Sequence, residues 1–354
     1  MIKKKNLIFF QSSIELVDII NLVKRHDYAT CIILVTGDEK LLFSIKKLNL
    51  RKKYGVEIYN FCTMSIKNPL NIFYMFFKYH LSSNSKLISK YNFRKAYYFN
   101  QHEDFVAPIF LSRSNIEKII QIMVYEGKGY KKMKKLFPLK NQSKVNFFYK
   151  CKFVIYKFLQ RDKNIRISLQ KNRFYKLIHF KLVGKKIYYQ LPSTKKFTSV
   201  KLNINKNKKI KKFLLYVDSN DESVASNKKF SQITNKILNL IESQGYHIII
   251  KKHLRVKLSK SLIGYKNRDY ILEPIPLELY DLNKIKLIMG LTSAAIAKAA
   301  QKYPKIKCIL TTKLILNKEI SKKIVTELNL ISQKNKLYFL KNISDIKNLT
   351  STIN

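Results

Sequence analysis

Apolar residues recur along this chain in short unbroken runs, and between the runs they return every three or four positions. The first pattern reads as buried strand and the second as helix with one face turned to a core. Runs at Leu7–Phe10, Cys31–Val35, Val56–Phe61, Ala96–Phe99 and Ile119–Tyr125 predict strands; Ile14–Lys24, Leu41–Leu48 and Pro69–Leu81 predict helices. The rhythm restarts after a charged tract at Asn203–Lys212. Strands are expected at Phe213–Val217, Tyr246–Ile250, Tyr270–Glu273, Ile285–Met289, Lys307–Leu310 and Leu337–Leu340. Helices are expected at Asn227–Ser243, Ser293–Gln301, Asn317–Leu328 and Ile343–Leu349, with a short one opened by Pro276. Strands alternating with helices predict βαβ units and parallel sheets, here twice over.

The middle of the chain breaks this rhythm. From Tyr130 to Asn207 it is dense in Lys and aromatics with weak periodicity. Phe147–Leu159 suits an amphipathic helix, and Tyr175–Val183 and Ile187–Leu191 suit a pair of strands turning at Gly184. We expect a first domain at 1–207, with a basic aromatic insertion at about 131–207, and a second at 208–354. The body is then double-Rossmann-like, with a cleft between the halves. No internal repeat is visible.

Composition fits this picture and adds a charge. The chain has 354 residues, 46% of them hydrophobic, enough for more than one core. Lys and Arg number 70 against 22 Asp and Glu, a formal charge of +48. Such an excess favours polyanions and anionic membrane surfaces. An AT-rich genome would also enrich Lys, Asn, Ile, Tyr and Phe whatever the function. The apolar core of MIKKKNLIFFQSS is too short for a signal peptide and reads as the first strand. No stretch approaches the roughly 20 apolar residues of a spanning helix. Cys31, Cys62, Cys151 and Cys308 show no zinc-ligand spacing, so buried reduced thiols in a cytoplasmic protein are expected, with no metal.

Four places could carry chemistry. In Val124-Tyr125-Glu126-Gly127-Lys128-Gly129, Glu126 stands at a strand end before Gly127 and Gly129, which allow a tight turn and a close ligand; an ordinary turn would look the same. His253 follows an apolar run and is flanked by Lys251, Lys252 and Arg255. A phosphate bound there would raise its pKa and let it donate a proton, though a surface histidine in a basic loop is the plainer meaning. Thr292 and Ser293 open an Ala-rich helix after Gly290, a place suited to an anion and equally to a plain N-cap. The cluster Asp218–Glu222 could hold a ribose or, less readily, a metal. Neither a Walker loop, GxSxG, HExxH nor strand-linked GxGxxG is present.

The order of these signals resembles the bacterial sialyltransferases of GT-B fold, meaning the lipooligosaccharide sialyltransferases (glycosyltransferase family 52) and the capsular polysialyltransferases. Tyr125-Glu126-Gly127 is similar to their acidic-acidic-Gly motif, His253-Leu254-Arg255 to their His-Pro motif and Thr292-Ser293 to their Ser-Ser/Thr motif. Ile275-Pro276-Leu277-Glu278-Leu279 also looks like the family. The resemblance spans about Tyr125 to Ala300. It departs at Tyr125, where an acid is usual, and at Leu254, where proline is usual.

The resemblance implies an inverting enzyme that moves sialic acid from CMP-sialic acid to a lipooligosaccharide or capsular glycan, without a cofactor or metal. Glu126 would be the base and His253 the group on the leaving phosphate. Gly290, Thr292, Ser293, Lys252, Arg255 and Glu278 would hold the donor. The expected location is cytoplasmic, peripheral at the anionic inner membrane. The departures leave room for another nucleotide-sugar donor, such as CMP-Kdo or a UDP-sugar. The charge and interleaved aromatics leave nucleic-acid binding as a reading of a different class, although no recognised motif frames them.

Overall fold

The computed structural model of the chain describes residues 4–12, 15–25, 31–36, 39–60, 91–99, 106–123, 136–138, 154–172, 178–190, 200–202, 212–218, 227–253, 257–332 and 337–351. The chain divides into two compact units, Met1–Lys195 and Lys196–Asn354. The sequence placed the division at 207/208. Residues 200–201 go with the second unit because they form a two-residue strand, β10 (Val200–Lys201), that pairs in parallel with β14 (Tyr280–Asp281).

The first unit is built on a six-stranded parallel sheet. Its strands are β1 (Lys5–Phe10), β2 (Cys31–Val35), β3 (Glu57–Asn60), β4 (Phe93–Phe99), β5 (Ile116–Ile122) and β9 (Ile187–Gln190), in the order β3-β2-β1-β4-β5-β9. The central strands are apolar at nearly every position because both faces of a parallel sheet are covered. All five residues of β2 are buried. The helices α1 (Leu16–Arg25), α2 (Glu39–Lys47), α3 (Leu50–Tyr54) and α4 (Val106–Arg113) connect these strands. No helix was expected at α4. Residues 107–112 are all buried, so the segment has no polar face to reveal a period, and Pro108 sits in the first turn, where it removes no helical hydrogen bond.

The pairing expected around Gly184 is not formed. Strand β8 (Ile178–Val183) pairs antiparallel with β7 (Arg166–Asn172), which also takes β6 (Leu136–Pro138), while β9 runs parallel to β5 as the last strand of the main sheet. Gly184 is required by crowding: a β-carbon there would lie 2.1 Å from the Asn164 carbonyl oxygen. The described residues of the insertion between 154 and 190 contribute to the first unit's core. Ile155, Tyr156, Leu159, Ile165, Ile167 and Leu182 are buried in the same cluster as Leu7, Phe9 and Ile119. Gln121, fully buried on β5, accepts the backbone N–H of Leu182 at 2.9 Å. Residues 154–159 are helical, as expected for the end of 147–159; residues 147–153 and the helix expected at Pro69–Leu81 lie outside the described residues.

The second unit repeats the plan. Strands β11 (Lys212–Val217), β12 (Tyr246–Lys251), β13 (Asp269–Ile271), β15 (Ile285–Gly290), β16 (Lys307–Leu310) and β17 (Leu337–Phe339) form a parallel sheet in the order β13-β12-β11-β15-β16-β17. Counted by first appearance, that is the Rossmann order 3-2-1-4-5-6. The helices are α5 (Asn227–Glu242), α6 (Ala294–Lys302), α7 (Thr312–Ile315), α8 (Lys318–Ser332) and α9 (Asp345–Ser351). The helix expected from Pro276 is only a 3₁₀ turn, Leu277–Leu279, because Tyr280 and Asp281 leave it to pair with β10. The fold is thus α/β, with two Rossmann-like units in succession, as expected. Among the described residues no helix is long and apolar enough to cross a membrane. Cys31 and Cys308 are buried and not joined in a disulfide, and burial pushes the Cys308 thiol up to about 12; Cys62 and Cys151 lie outside the described residues.

Candidate functional site

Open α/β sheets bind ligands at the carboxyl ends of their strands, where the strand order reverses. In the second unit that point lies between β11 and β15, which pair through Tyr216 and Met289. One residue further on, Gly290 comes against the end of β11. A β-carbon on Gly290 would lie 2.6 Å from the Val217 carbonyl oxygen and 2.8 Å from Cδ1 of Ile296. Only glycine permits this approach, which sets the start of the next segment deep in the sheet edge.

That segment, Leu291-Thr292-Ser293, leads into α6. The Gly290 carbonyl accepts the backbone N–H of Thr311 at 3.0 Å, and the Thr312 hydroxyl donates to the Leu291 carbonyl. Ser293 is the N-cap of α6: it is extended (φ −73, ψ 120), and its hydroxyl oxygen accepts the Ala295 N–H at 3.3 Å. The plain capping role read in the sequence is therefore filled, and the hydroxyl keeps its own proton to donate. Ser293 is buried and Thr292 half-buried. Ile296, Ala297, Ala299 and Ala300 turn inward, small enough for the helix to lie close on the sheet.

On the other side of β11, Val217 pairs with Lys251, the last residue of β12. Lys252 and His253 follow, both half-buried, and the Lys252 N–H is held by the Ile271 carbonyl at 3.0 Å. Lys251 is 2% exposed. Its ammonium donates to the carbonyls of Lys252 at 3.0 Å and Glu273 at 2.9 Å, and lies 5.9 Å from the centre of the Tyr280 ring. Burial lowers its pKa from 10.5 to about 8, with Lys252 pushing the same way while Glu273 and Glu278 oppose. Nothing in the letters distinguishes Lys251, which turns inward, from Lys252.

Asp218 does not face a ligand. It is fully buried at the end of β11, where its carboxylate accepts the backbone N–H and hydroxyl of Ser259. The ribose or metal role considered for the cluster is thus not available to this member, and residues 219–222 lie outside the described residues. Among the described residues no group of three or more His, Cys, Asp or Glu is placed to hold a metal ion. Glu278 has a partner too: its carboxylate meets the Lys298 ammonium at 2.9 Å, and its backbone carbonyl accepts from Lys302 at 2.9 Å. Burial alone would raise this carboxyl, but Lys298 and Lys302 more than reverse it, so the net shift is downward. Glu278 thus ties its 3₁₀ turn to α6.

The structure brings Gly290, Thr292 and Ser293 to the carboxyl edge of the sheet that also carries Lys252 and His253. Glu126, Gly127, Gly129 and Arg255 lie outside the described residues. What is described is a helix N-terminus, a hydroxyl pair, and a half-buried lysine and histidine, Lys252 and His253, at the same sheet edge. Such a set suits a phosphate, because amide dipoles and cations both favour negative charge.

No protein-family profile matches the chain, and no curated protein matches it. Solved structures resemble it over nearly its full length at low identity. S. aureus MnaA with UDP has 13% identity and a TM-score of 0.46, covering 99% of this chain and 98% of that one. UDP-GlcNAc 2-epimerase from Neisseria meningitidis bound to UDP-GlcNAc has 13% identity and a TM-score of 0.45, covering 99% and 100%. Spinosyn rhamnosyltransferase SpnG with thymidine diphosphate has 9% identity and a TM-score of 0.45, covering 99% and 91%. None of the three is named for sialic acid or CMP.

Proposed function

We propose that this protein is a glycosyltransferase that takes its sugar from a nucleotide-sugar, with the donor's phosphate at the carboxyl edge of the second unit's sheet. The observation that carries this reading is the approach of Gly290 to the Val217 carbonyl, at the reversal of the strand order, leading directly into a helix capped by Ser293. Lys252 on the neighbouring strand end adds charge of the right sign, and His253 stands beside it.

The finer reading follows the motif order in the sequence. The enzyme is inverting and its donor is CMP-sialic acid. Glu126 takes the proton of an acceptor hydroxyl as that oxygen bonds to the anomeric carbon from the face opposite the phosphate. The bond from that carbon to the phosphate oxygen breaks, and its electrons leave with CMP. His253 hydrogen-bonds or protonates that oxygen, and Lys252 and Arg255 meet its charge. The acceptor is a lipooligosaccharide or capsular glycan, and the charge of +48 supports peripheral contact with an anionic inner leaflet.

Thermal shift with CMP, CMP-sialic acid, UDP, UDP-GlcNAc and GDP tests the class and the donor together, since a ligand that binds the native state raises its melting temperature. No shift with any of them sinks the class. A shift with UDP compounds alone keeps the class and rejects the donor. With a turnover assay in place, Glu126→Ala and His253→Ala should each cut the rate by about 10²–10⁴.

A further inference from the structure

Lysine is among the side chains least often buried, yet Lys251 is 2% exposed, and among the described residues its ammonium donates to carbonyls and makes no salt bridge with a carboxylate. It folds back from the end of β12 onto two backbone carbonyls. One is the Lys252 carbonyl, part of the peptide whose nitrogen belongs to His253; the other is the Glu273 carbonyl, from the segment following β13. We propose that Lys251 is the positioning residue for His253, fixing the peptide that precedes it and tying that peptide to the Glu273 segment. The inference rests on the role proposed for His253.

Two observations and one general property of charged hydrogen bonds support it. The Lys252 carbonyl has one orientation in which it meets an ammonium below it while the Lys252 N–H reaches the Ile271 carbonyl, so the peptides on both sides of Lys252 are held. The Lys251 backbone is itself fixed, since its carbonyl accepts the Asp218 N–H at 3.0 Å. A charge-assisted bond is also stiffer than a neutral one, which suits a task of orientation. The titratable groups around Lys251 are Lys252 and His253 beyond its own strand, Glu273 and Glu278 from the stretch after β13, Tyr280 on β14 and Asp218 at the end of β11. Burial brings the Lys251 ammonium to about 8, so its charge changes within reach of ordinary titration while that of an exposed lysine does not.

The test is an NMR titration of the whole protein, labelled at histidine Cε1, with the His253 signal assigned by its loss in His253→Gln. In the wild type the His253 signal should show a step near pH 8 that follows the charge of Lys251, as a second step if the imidazole itself also changes charge in the range. Lys251→Met should lose that step while the His253 signal stays. Glu273→Gln should move the step to lower pH, because the Glu273 carboxylate favours the charged lysine; this variant alters a half-exposed side chain and keeps the backbone carbonyl, so it serves if Lys251→Met does not fold. A wild-type signal without the step near pH 8 overturns the proposal, as does a step that persists in Lys251→Met or stays put in Glu273→Gln. No nucleotide is present, so a failed nucleotide screen and a failed titration are separate results.

Discussion

The Asp218 carboxylate receives two hydrogen bonds from Ser259, the backbone N–H at 2.8 Å and the hydroxyl at 3.0 Å, with the aspartate fully buried. One side chain thereby ties Ser259 to the end of the central strand. Bonds to a buried charge contribute about 1.5–3 kcal/mol each, and leaving partners unsatisfied costs a similar amount. Asp218→Ala should therefore lower stability by roughly 3 kcal/mol in urea unfolding. Asp218→Asn keeps one oxygen for the Ser259 N–H and should lose about half as much.

Gly290→Ala tests the sheet edge. The added carbon would meet the Val217 carbonyl oxygen at 2.6 Å, a backbone atom that cannot swing aside. Strands β11 and β15 must then separate at the point where the donor is proposed to bind. We expect a loss of about 1–3 kcal/mol, with the nucleotide-dependent thermal shift disappearing. A variant as stable as wild type that still binds would count against the close approach.

Ser293 can be separated into cap and ligand. Ser293→Ala removes the acceptor for the Ala295 N–H and should cost about 1 kcal/mol. Ser293→Asp restores the cap and places a negative charge at the helix start. Stability should return to near wild type, while affinity for a phosphate-bearing ligand should fall at least tenfold, about 1.4 kcal/mol. If both variants bind nucleotide as wild type does, Ser293 is a cap and nothing more.

Much of the architecture was legible because burial on both faces leaves a continuous apolar run. Cys31–Val35 matches the expected strand at both ends, and Ile285–Gly290 runs one residue past it. The failures are equally physical. Helix α4 is buried all round, so it carries no period. Strand partners are a long-range choice, and nothing local says that β9 pairs with β5 instead of turning back on β8. The cap at Ser293 was legible from a hydroxyl standing before an Ala-rich helix, whereas the pairing of Glu278 with Lys298, 20 residues on, has no local sign. Two adjacent lysines are indistinguishable as letters. Only the register of β12 against β11 and β13 decides that Lys251 goes inside.

The Glu278–Lys298 pair predicts an effect at low pH. The side chains are 22% and 29% exposed, so the pair is partly shielded from solvent. Glu278 is lowered from 4.5 in the folded state. Its contribution is therefore present above pH 4.5 and is lost as pH falls through the folded value. Glu278→Gln should flatten the acid limb of the stability curve, with a coupling to Lys298→Ala of about 1 kcal/mol in a double-mutant cycle near neutral pH. A coupling near zero at neutral pH would make the contact incidental.

Lys251 predicts the opposite limb. Its folded value is about 8 against 10.5 when unfolded. Below pH 8 both states carry the proton, and the cost of burying the charge is full. Between 8 and 10.5 the unfolded chain binds a proton that the native protein does not, so stability rises with pH; above 10.5 the cost is gone. At about 1.4 kcal/mol per pH unit the rise is roughly 3 kcal/mol. Other lysines and tyrosines titrate in the same window, so the quantity to measure is the difference between wild type and Lys251→Met in urea unfolding at about pH 7.5, 9 and 10.5. The difference should move in favour of the wild type as pH increases. Parallel curves for the two proteins would mean that the Lys251 ammonium, though enclosed, does not titrate below its unfolded value.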